Sequence, residues 1–364
     1  MSQHFRFDAS RSLTALEQDS TIIAVIEMSQ TKWLVAALVP GVERQPLKKF
    51  DAHEEVLLKL LHRWRREASQ AGRNIVVAFE AGRDGFWLAR WLRARDVEAY
   101  VIHPTSIAVS REHRRAKTDR LDTELLMRVF LGWLRGEKRH CSMVAIPTIE
   151  EEDARRPNRE HQNLVTEQTR IVNQIKAIFT RFGIRTLRPT MRKLAEGLED
   201  LRTAEGTPLP QNTLSELRRH LARLRFVRDQ IRAVEQERLR KLAEAPAAEK
   251  KSPDSMVRLI ARVLGVGVET ADMLVNEIFL RHLHDRKAVA RYAGLTGSPD
   301  ESGSRRRERG LARASNVRVR SGMIQLAWRF VRFQKEQHPG PMVRGANHRR
   351  TRRHTQDDDR RAGA

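Results

Sequence analysis

Ile22-Ile23-Ala24-Val25-Ile26-Glu27 and Ile75-Val76-Val77-Ala78-Phe79-Glu80 are two apolar runs, each closed by a glutamate. Short runs rich in β-branched residues predict strands. The first strand is expected over Thr21 to Met28 and the second ends at Glu80. Working outward, Trp33 to Val39 predicts a strand closed by Pro40-Gly41, and Pro46 to Phe50 a shorter one. Residues 53–71 have helical spacing, with Val56, Leu57, Leu60, Leu61 and Trp64 on one stripe. Gly82 and Gly85 open a helix carrying Phe86, Leu88, Trp91 and Leu92. Val97 to Ile102 predicts a further strand, stopped by His103-Pro104. This order makes residues 21–150 a mixed α/β domain.

Beyond about residue 150 the strand signal disappears. The charged stretch 151–160 leads into a helix. Leu164, Ile171, Ile175, Ile178 and Phe182 form a heptad-like seam, and Leu214, Leu217, Leu221, Leu224, Val227 and Ile231 form a second. Pro189, Gly206, Pro208 and Pro210 interrupt the stretch between them. Residues 151–250 therefore read as a helical hairpin or coiled coil, and residues 255–333 as a third, mainly helical unit. Residues 1–20 read as a polar leader. The Arg-rich stretch 338–364 carries few large apolar residues and is expected to be disordered.

The 364 residues carry 69 Lys and Arg against 46 Asp and Glu, a formal net charge of +23. That excess favours a polyanion, with nucleic acid the first candidate. A membrane-surface protein would need an amphipathic anchor or a lipidation signal, and neither is evident. The single cysteine, Cys141, excludes an intramolecular disulfide and suits a reducing compartment. No run reaches transmembrane length, and the start lacks the apolar core of a signal peptide. The expected location is the cytoplasm, in association with the nucleoid.

Glu27 and Glu80 end strands. Asp119 and Asp122 lie three apart in Lys117-Thr118-Asp119-Arg120-Leu121-Asp122, on one face of an expected helix. Two strand ends and one helix face can bring four carboxylates to a point, and hard divalent cations prefer such oxygen ligands. Two-metal phosphoryl chemistry uses a pair of ions roughly 3.5–4 Å apart, which needs several converging acids. The plainer readings make Asp119 an N-cap with Asp122 as its capping-box partner, Glu80 a cap of the next helix and Glu27 an ordinary strand-end acid.

Gly265-Val266-Gly267 precedes an amphipathic helix with Met273, Leu274 and Ile278. A Gly-x-Gly turn entering a helix exposes backbone N–H groups that suit a DNA phosphate. A tight interhelical turn is the alternative. Ser302-Gly303 is expected in a flexible loop, followed by Arg305, Arg306, Arg307 and Arg309, whose guanidinium groups could neutralise a phosphate. A serine hydroxyl needs activation. No histidine adjoins Ser302, so an activator would come from another domain or subunit. By composition Ser298, Ser304 and Ser321 are equal rivals.

Phe79-Glu80-Ala81-Gly82, the Lys117–Asp122 motif, Gly265-Val266-Gly267, Tyr292-Ala293-Gly294-Leu295-Thr296 and Ser302-Gly303 occur in this order. Together they resemble the DEDD-type transposases of the insertion-sequence "one-ten" family, relatives of the Piv invertases, over roughly residues 21–333. The resemblance implies an RNase H/RuvC-like N-terminal domain joined through a coiled coil to a mainly α-helical C-terminal domain. It implies a site-specific recombinase acting on donor and target DNA. Glu27, Glu80, Asp119 and Asp122 would hold Mg²⁺, as two ions, and Ser302 would form a covalent phosphoserine link. It further implies guidance by a bridge RNA and a homodimer or higher oligomer with a composite site. The chain departs from the family at Glu27, where Asp is usual, and at Gln30, where a lysine is usual; Lys32 could substitute. Its basic end also replaces an apolar helix. A RuvC-like nuclease or resolvase without serine chemistry, and a defective transposase that only binds nucleic acid, are the competing expectations.

Overall fold

The computed structural model describes residues 20–43, 45–68, 74–80, 82, 85–107, 118–137, 140–191, 194–245, 252–281, 283, 285–302, 305–312 and 316–333; at 105, 298–302, 305, 306, 308 and 309 the backbone alone is described. The leader through residue 19 and the tail 338–364 lie outside these residues, as do Lys117 and Gly303. Two compact units divide between Glu150 and Glu151. The helical hairpin and the C-terminal region, expected as separate parts, fall within the second.

The first unit is a five-stranded sheet of order β3-β2-β1-β4-β5. Its strands are β1 (Thr21–Met28), β2 (Lys32–Leu38), β3 (Leu47–Asp51), β4 (Asn74–Glu80) and β5 (Glu98–Ile102). β1 pairs antiparallel with β2 and parallel with β4, and β4 pairs parallel with β5. Helices α1 (Glu54–Glu67) and α2 (Trp87–Arg93) cover one face, where Ile22, Ala24, Ile26, Val77 and Phe79 meet Leu57, Leu61 and Leu88. The helix α3 (Asp119–Leu134) covers the other, packing Leu126, Val129 and Phe130 onto Ile23, Val25, Val76, Ala78 and Ile102. Alternate side chains of a strand point to opposite faces. With both faces covered, β1 and β4 must be apolar throughout, which is why they read as unbroken runs. In α1 the buried residues are Leu57, Leu61 and Trp64, while Val56, expected on the same stripe, is 43% exposed.

In the second unit a short helix α4 (Ile149–Ala154) leads into α5 (Arg156–Arg181), and α6 (Gln211–Glu244) returns along it. Ile171, Ile175, Ile178 and Phe179 pack against Leu217, Leu221, Leu224 and Val227, so the two expected seams face each other. The pairs His161–Glu235 and Glu167–Arg223 make the helices antiparallel, since one number falls as the other rises. A second core gathers α7 (Pro253–Ala261), α8 (Val268–Leu274), α9 (Arg286–Ala293) and α10 (Val317–Phe333). The helix α8 continues as one π-helical turn, Val275–Phe279.

The expectation that strands end near residue 150 is corrected here. β6 (Gly297–Ser302) and β7 (Arg305–Leu311) form an antiparallel hairpin. Its sequence is polar and lacks β-branched residues, so propensity does not announce it. Its register sets Asp300 opposite Arg307 and Glu301 opposite Arg306, and opposite charges across a pair favour pairing. The register shifts between Gly297 and Pro299, where Gly310 has φ of 86°, the left-handed residue a bulge calls for.

Candidate functional site

Glu27 follows Ile23 and Val25 on the α3 face of the sheet, and Glu80 follows Val76 and Ala78 on the same face. The register Ile26↔Phe79 makes Glu27 and Glu80 the next pair along two parallel strands. Both line one cleft of about 280 Å³, floored by Ile26 and Phe79 and rimmed by Ser29, Gln30, Gly82 and Gly85. Parallel β1 and β4 end together, so their last α3-facing side chains project side by side where the apolar core stops.

The helix α3 begins over this face. Thr118, not Asp119, is its N-cap: Thr118 Oγ1 accepts from Leu121 N at 3.3 Å. Asp119 is therefore the first helical residue and Asp122 the fourth, which corrects the capping-box reading. As first-turn acids they also complement the helix dipole. Asp119 Oδ2 accepts a charge-assisted bond from Lys49 Nζ at 2.9 Å. Lys49 pairs in register with Leu34, and Leu34 with Glu27. One row across the sheet thus joins Glu27 to the lysine that holds Asp119. Lys32, expected as the replacement lysine, instead lies 3.5 Å from Asp51 Oδ1 on the exposed β2–β3 edge. Lys49 was not singled out from the sequence, although its alternation with the apolar Phe50 on a strand, which puts it on the opposite face, was the available signal.

All four candidate ligands are carboxylates, an oxygen donor set suited to a hard divalent cation. Their oxygens do not close into a tight group. Among the described residues the group of three whose ligand atoms all lie within 4.8 Å of one another is His161, Glu235 and Glu269. That group is half-buried and already an ion network, its residues paired with one another and with Arg238. His161 Nε2 lies 3.0 Å from Glu235 Oε1 and Nδ1 lies 3.6 Å from Glu269 Oε2. Glu269 is also ion-paired with the buried Arg238, whose Nε faces Asp272. Burial raises the Asp272 carboxyl above its usual range, against the pull of Arg238.

Ser302 is the last residue of β6, opposite Arg305, and not a loop residue. Arg305, Arg306, Arg307 and Arg309 all fall on β7. Both ends of the hairpin are fastened to the helical core. Ala312 N donates to Thr296 O at 2.9 Å, and Asn316 N to Tyr292 O at 3.0 Å. Asn316 Nδ2 donates to Tyr292 Oη at 2.7 Å and to Glu277 Oε2 at 3.2 Å. Asn316 Oδ1 accepts from Arg318 N and Val319 N, starting α10. Glu277 is 1% exposed and takes a further bond from Arg159 Nε at 3.1 Å. A buried carboxylate is tolerated when paired and hydrogen-bonded in this way. Burial also pushes the Tyr292 hydroxyl upward. Glu277 and Asn316 were missed by sequence reading; the signal was a polar Asn276-Glu277 step inside an apolar run.

The Gly265–Gly267 turn joins α7 to α8 as expected. Gly265 has φ of 87°, and Gly267 is the N-cap of α8 with no side-chain cap. Nothing lies within 4 Å of where a Gly267 Cβ would stand, so a backbone could approach there. No helix of the described residues is long and apolar enough to cross a membrane.

Comparison with known proteins covers both units. Residues 26–184 match a DEDD transposase family model described as "Transposase". Residues 257–339 match the model described as "Transposase IS116/IS110/IS902 family". The chain is 39% identical over 330 residues to "Putative transposase y4rJ" of Sinorhizobium fredii (strain NBRC 101917 / NGR234), covering 88% of this chain and 83% of that protein.

Proposed function

As the chain belongs to the IS110 family of transposases, we propose that it cuts and rejoins DNA through a covalent phosphoserine intermediate. Glu27, Glu80, Asp119 and Asp122 hold two Mg²⁺ ions, and Ser302 is the nucleophile. When bound, the ions supply Lewis-acid stabilisation of the attacking and departing oxygens. The Ser302 hydroxyl gives up its proton as its oxygen bonds to phosphorus and the P–O bond to the departing strand end breaks, and the departing oxygen takes up a proton in turn. Arg305, Arg306, Arg307 and Arg309 neutralise charge on the transferred phosphate. Gly265 and Gly267 offer backbone N–H groups to a neighbouring DNA phosphate. A bridge RNA pairs with donor and target, and the α5–α6 hairpin joins protomers as a coiled coil so that the acids of one serve the serine of another. The protein acts in the cytoplasm, alongside the nucleoid.

The observation that carries this reading is the cleft that Glu27 and Glu80 share, on the sheet row that runs through Leu34 to Lys49, the partner of Asp119. Its test is a denaturing gel of full-length protein with DNA, guide RNA and Mg²⁺. Wild type yields a protein–DNA adduct, and Ser302→Ala yields none while still binding RNA. An adduct that survives Ser302→Ala sinks the serine assignment. Mg²⁺-dependent cleavage without any adduct, lost in Asp119→Ala, would establish the nuclease reading instead. Independently of activity, Mg²⁺ raises the melting temperature of wild type and not of Glu27→Gln/Asp119→Asn.

A further inference from the structure

A groove of about 980 Å³ in the second unit lies outside the acid cleft and the serine hairpin. One wall is α5, which presents Gln162, Thr166, Thr169 and Asn173 to it. These positions, four and three apart, make one continuous helix stripe. The facing wall is α10, which presents Arg318, Ser321, Gln325 and Arg329. The floor is α8, where Arg329 Nη1 donates to Thr270 Oγ1 at 2.9 Å.

The composition of these walls is unusual for a surface helix. The chain is 32% charged, yet of the α5 residues that line the groove Arg170 alone carries a fixed charge, and most of the others are amides and hydroxyls. Solvated helix faces in this protein carry Arg and Glu, as Arg240 with Glu237 and Glu244 shows. A face meant to pack on another helix would be apolar, like the Ile171–Ile178 stripe of the same α5. Amides and hydroxyls at core-like spacing serve neither purpose. Thr166 and Thr169 donate to their own helix carbonyls, so their oxygens face the groove as acceptors.

Phosphates only accept hydrogen bonds, so a backbone tract would draw cations. Base edges both donate and accept, and Asn and Gln read adenine while Arg reads guanine. Glu235 and Glu269 also line the groove, and their carboxylates, although paired with His161 and Arg238, keep lone pairs that can accept from base amino groups. From Gln162 to Asn173 the stripe rises about 17 Å at 1.5 Å per residue, or about five stacked nucleotides at 3.4 Å each. A groove of this volume is of the size that holds a small ligand or a few bases, not a duplex.

We propose that the α5–α10 groove binds a single-stranded nucleic-acid segment by its base edges. This deepens the reading given under Proposed function and rests on it. The test is fluorescence anisotropy of full-length wild type and Asn173→Ala/Gln325→Ala with three 20-nucleotide ligands: RNA, DNA of the same sequence, and an abasic backbone. Both substituted side chains are exposed, so folding should be unaffected, which circular dichroism checks. The expected result is about tenfold weaker binding of the RNA, the DNA or both, with the abasic ligand and the salt slope unchanged; the more affected ligand identifies the strand. Equal binding by both proteins, or an equal loss on the abasic ligand, overturns the base-edge site while leaving salt-sensitive nucleic-acid binding intact. So does weakened self-association in sedimentation with unchanged oligonucleotide binding, which would make the groove a seat for a second copy. If wild type binds none of the ligands in a salt-dependent way, the reading given under Proposed function falls, and this one with it.

Discussion

The strands β1 and β4 and the strands β6 and β7 are held by different physics. In β1 residues Ile22 through Ile26 are all at most 1% exposed, because helices cover both faces of the sheet. The β6–β7 hairpin carries Gly, Pro, Ser and a run of arginines, and Arg307, Gly310 and Leu311 are exposed. Its backbone ladder and the anchors at Tyr292 and Asn316 stand in for a core. Glu27 and Glu80 end the first kind of strand, Asp119 and Asp122 open the helix packed on it, and the candidate serine ends the second kind. A metal site needs ligands held on rigid elements, whereas a nucleophile that must meet DNA can be carried on an exposed hairpin tethered at its base.

The largest effect should come from the sheet. Phe130 is fully buried between α3 and the strand face below Glu27 and Glu80. Phe130→Ala should destabilise the first unit by about 3–5 kcal/mol in chemical denaturation, the range for large-to-small core changes. A loss under 1 kcal/mol would mean that α3, and with it Asp119 and Asp122, is not held by this core. A smaller loss, about 1 kcal/mol, is expected for Thr118→Ala, which removes the side-chain cap of α3. Thr118→Ser should restore most of it, and failure to do so would point away from capping.

At the lower end, Asp300→Asn/Glu301→Gln should change stability by less than about 1 kcal/mol, since opposite charges facing each other across a strand pair contribute only about 0.2–1 kcal/mol. Hydrogen exchange sharpens the contrast. Amides of β1 and β4 should exchange only through global unfolding, and those of β6 and β7 through much cheaper local opening. Equal protection in both places would break the comparison and give the hairpin a hidden source of stability.

Much of the first unit was legible because covered strands must be apolar along their whole length. The same logic exposed the paired seams of α5 and α6, whose leucines and isoleucines do face each other. Val56 misled because apolar residues also sit on surfaces, and a stripe read by spacing alone admits them. The hairpin was invisible because its strands answer to backbone pairing, which leaves no periodic trace in a polar sequence. Lys49 was overlooked in favour of Lys32, since which lysine reaches Asp119 depends on sheet order rather than distance along the chain.

Sequence alone determined the family, the β1–β4 frame, the acidic residues at its strand ends and the basic character that demands a polyanionic partner. The family resemblance rests on short motifs in order, and the rest on composition and periodicity, which act locally. Tertiary structure decided that Glu27 and Glu80 share a cleft, that Lys49 holds Asp119, that Ser302 ends a strand, and that Glu277 and Asn316 fasten its hairpin. Such juxtapositions join residues tens of positions apart, and only strand register and helix packing bring them within hydrogen-bond reach.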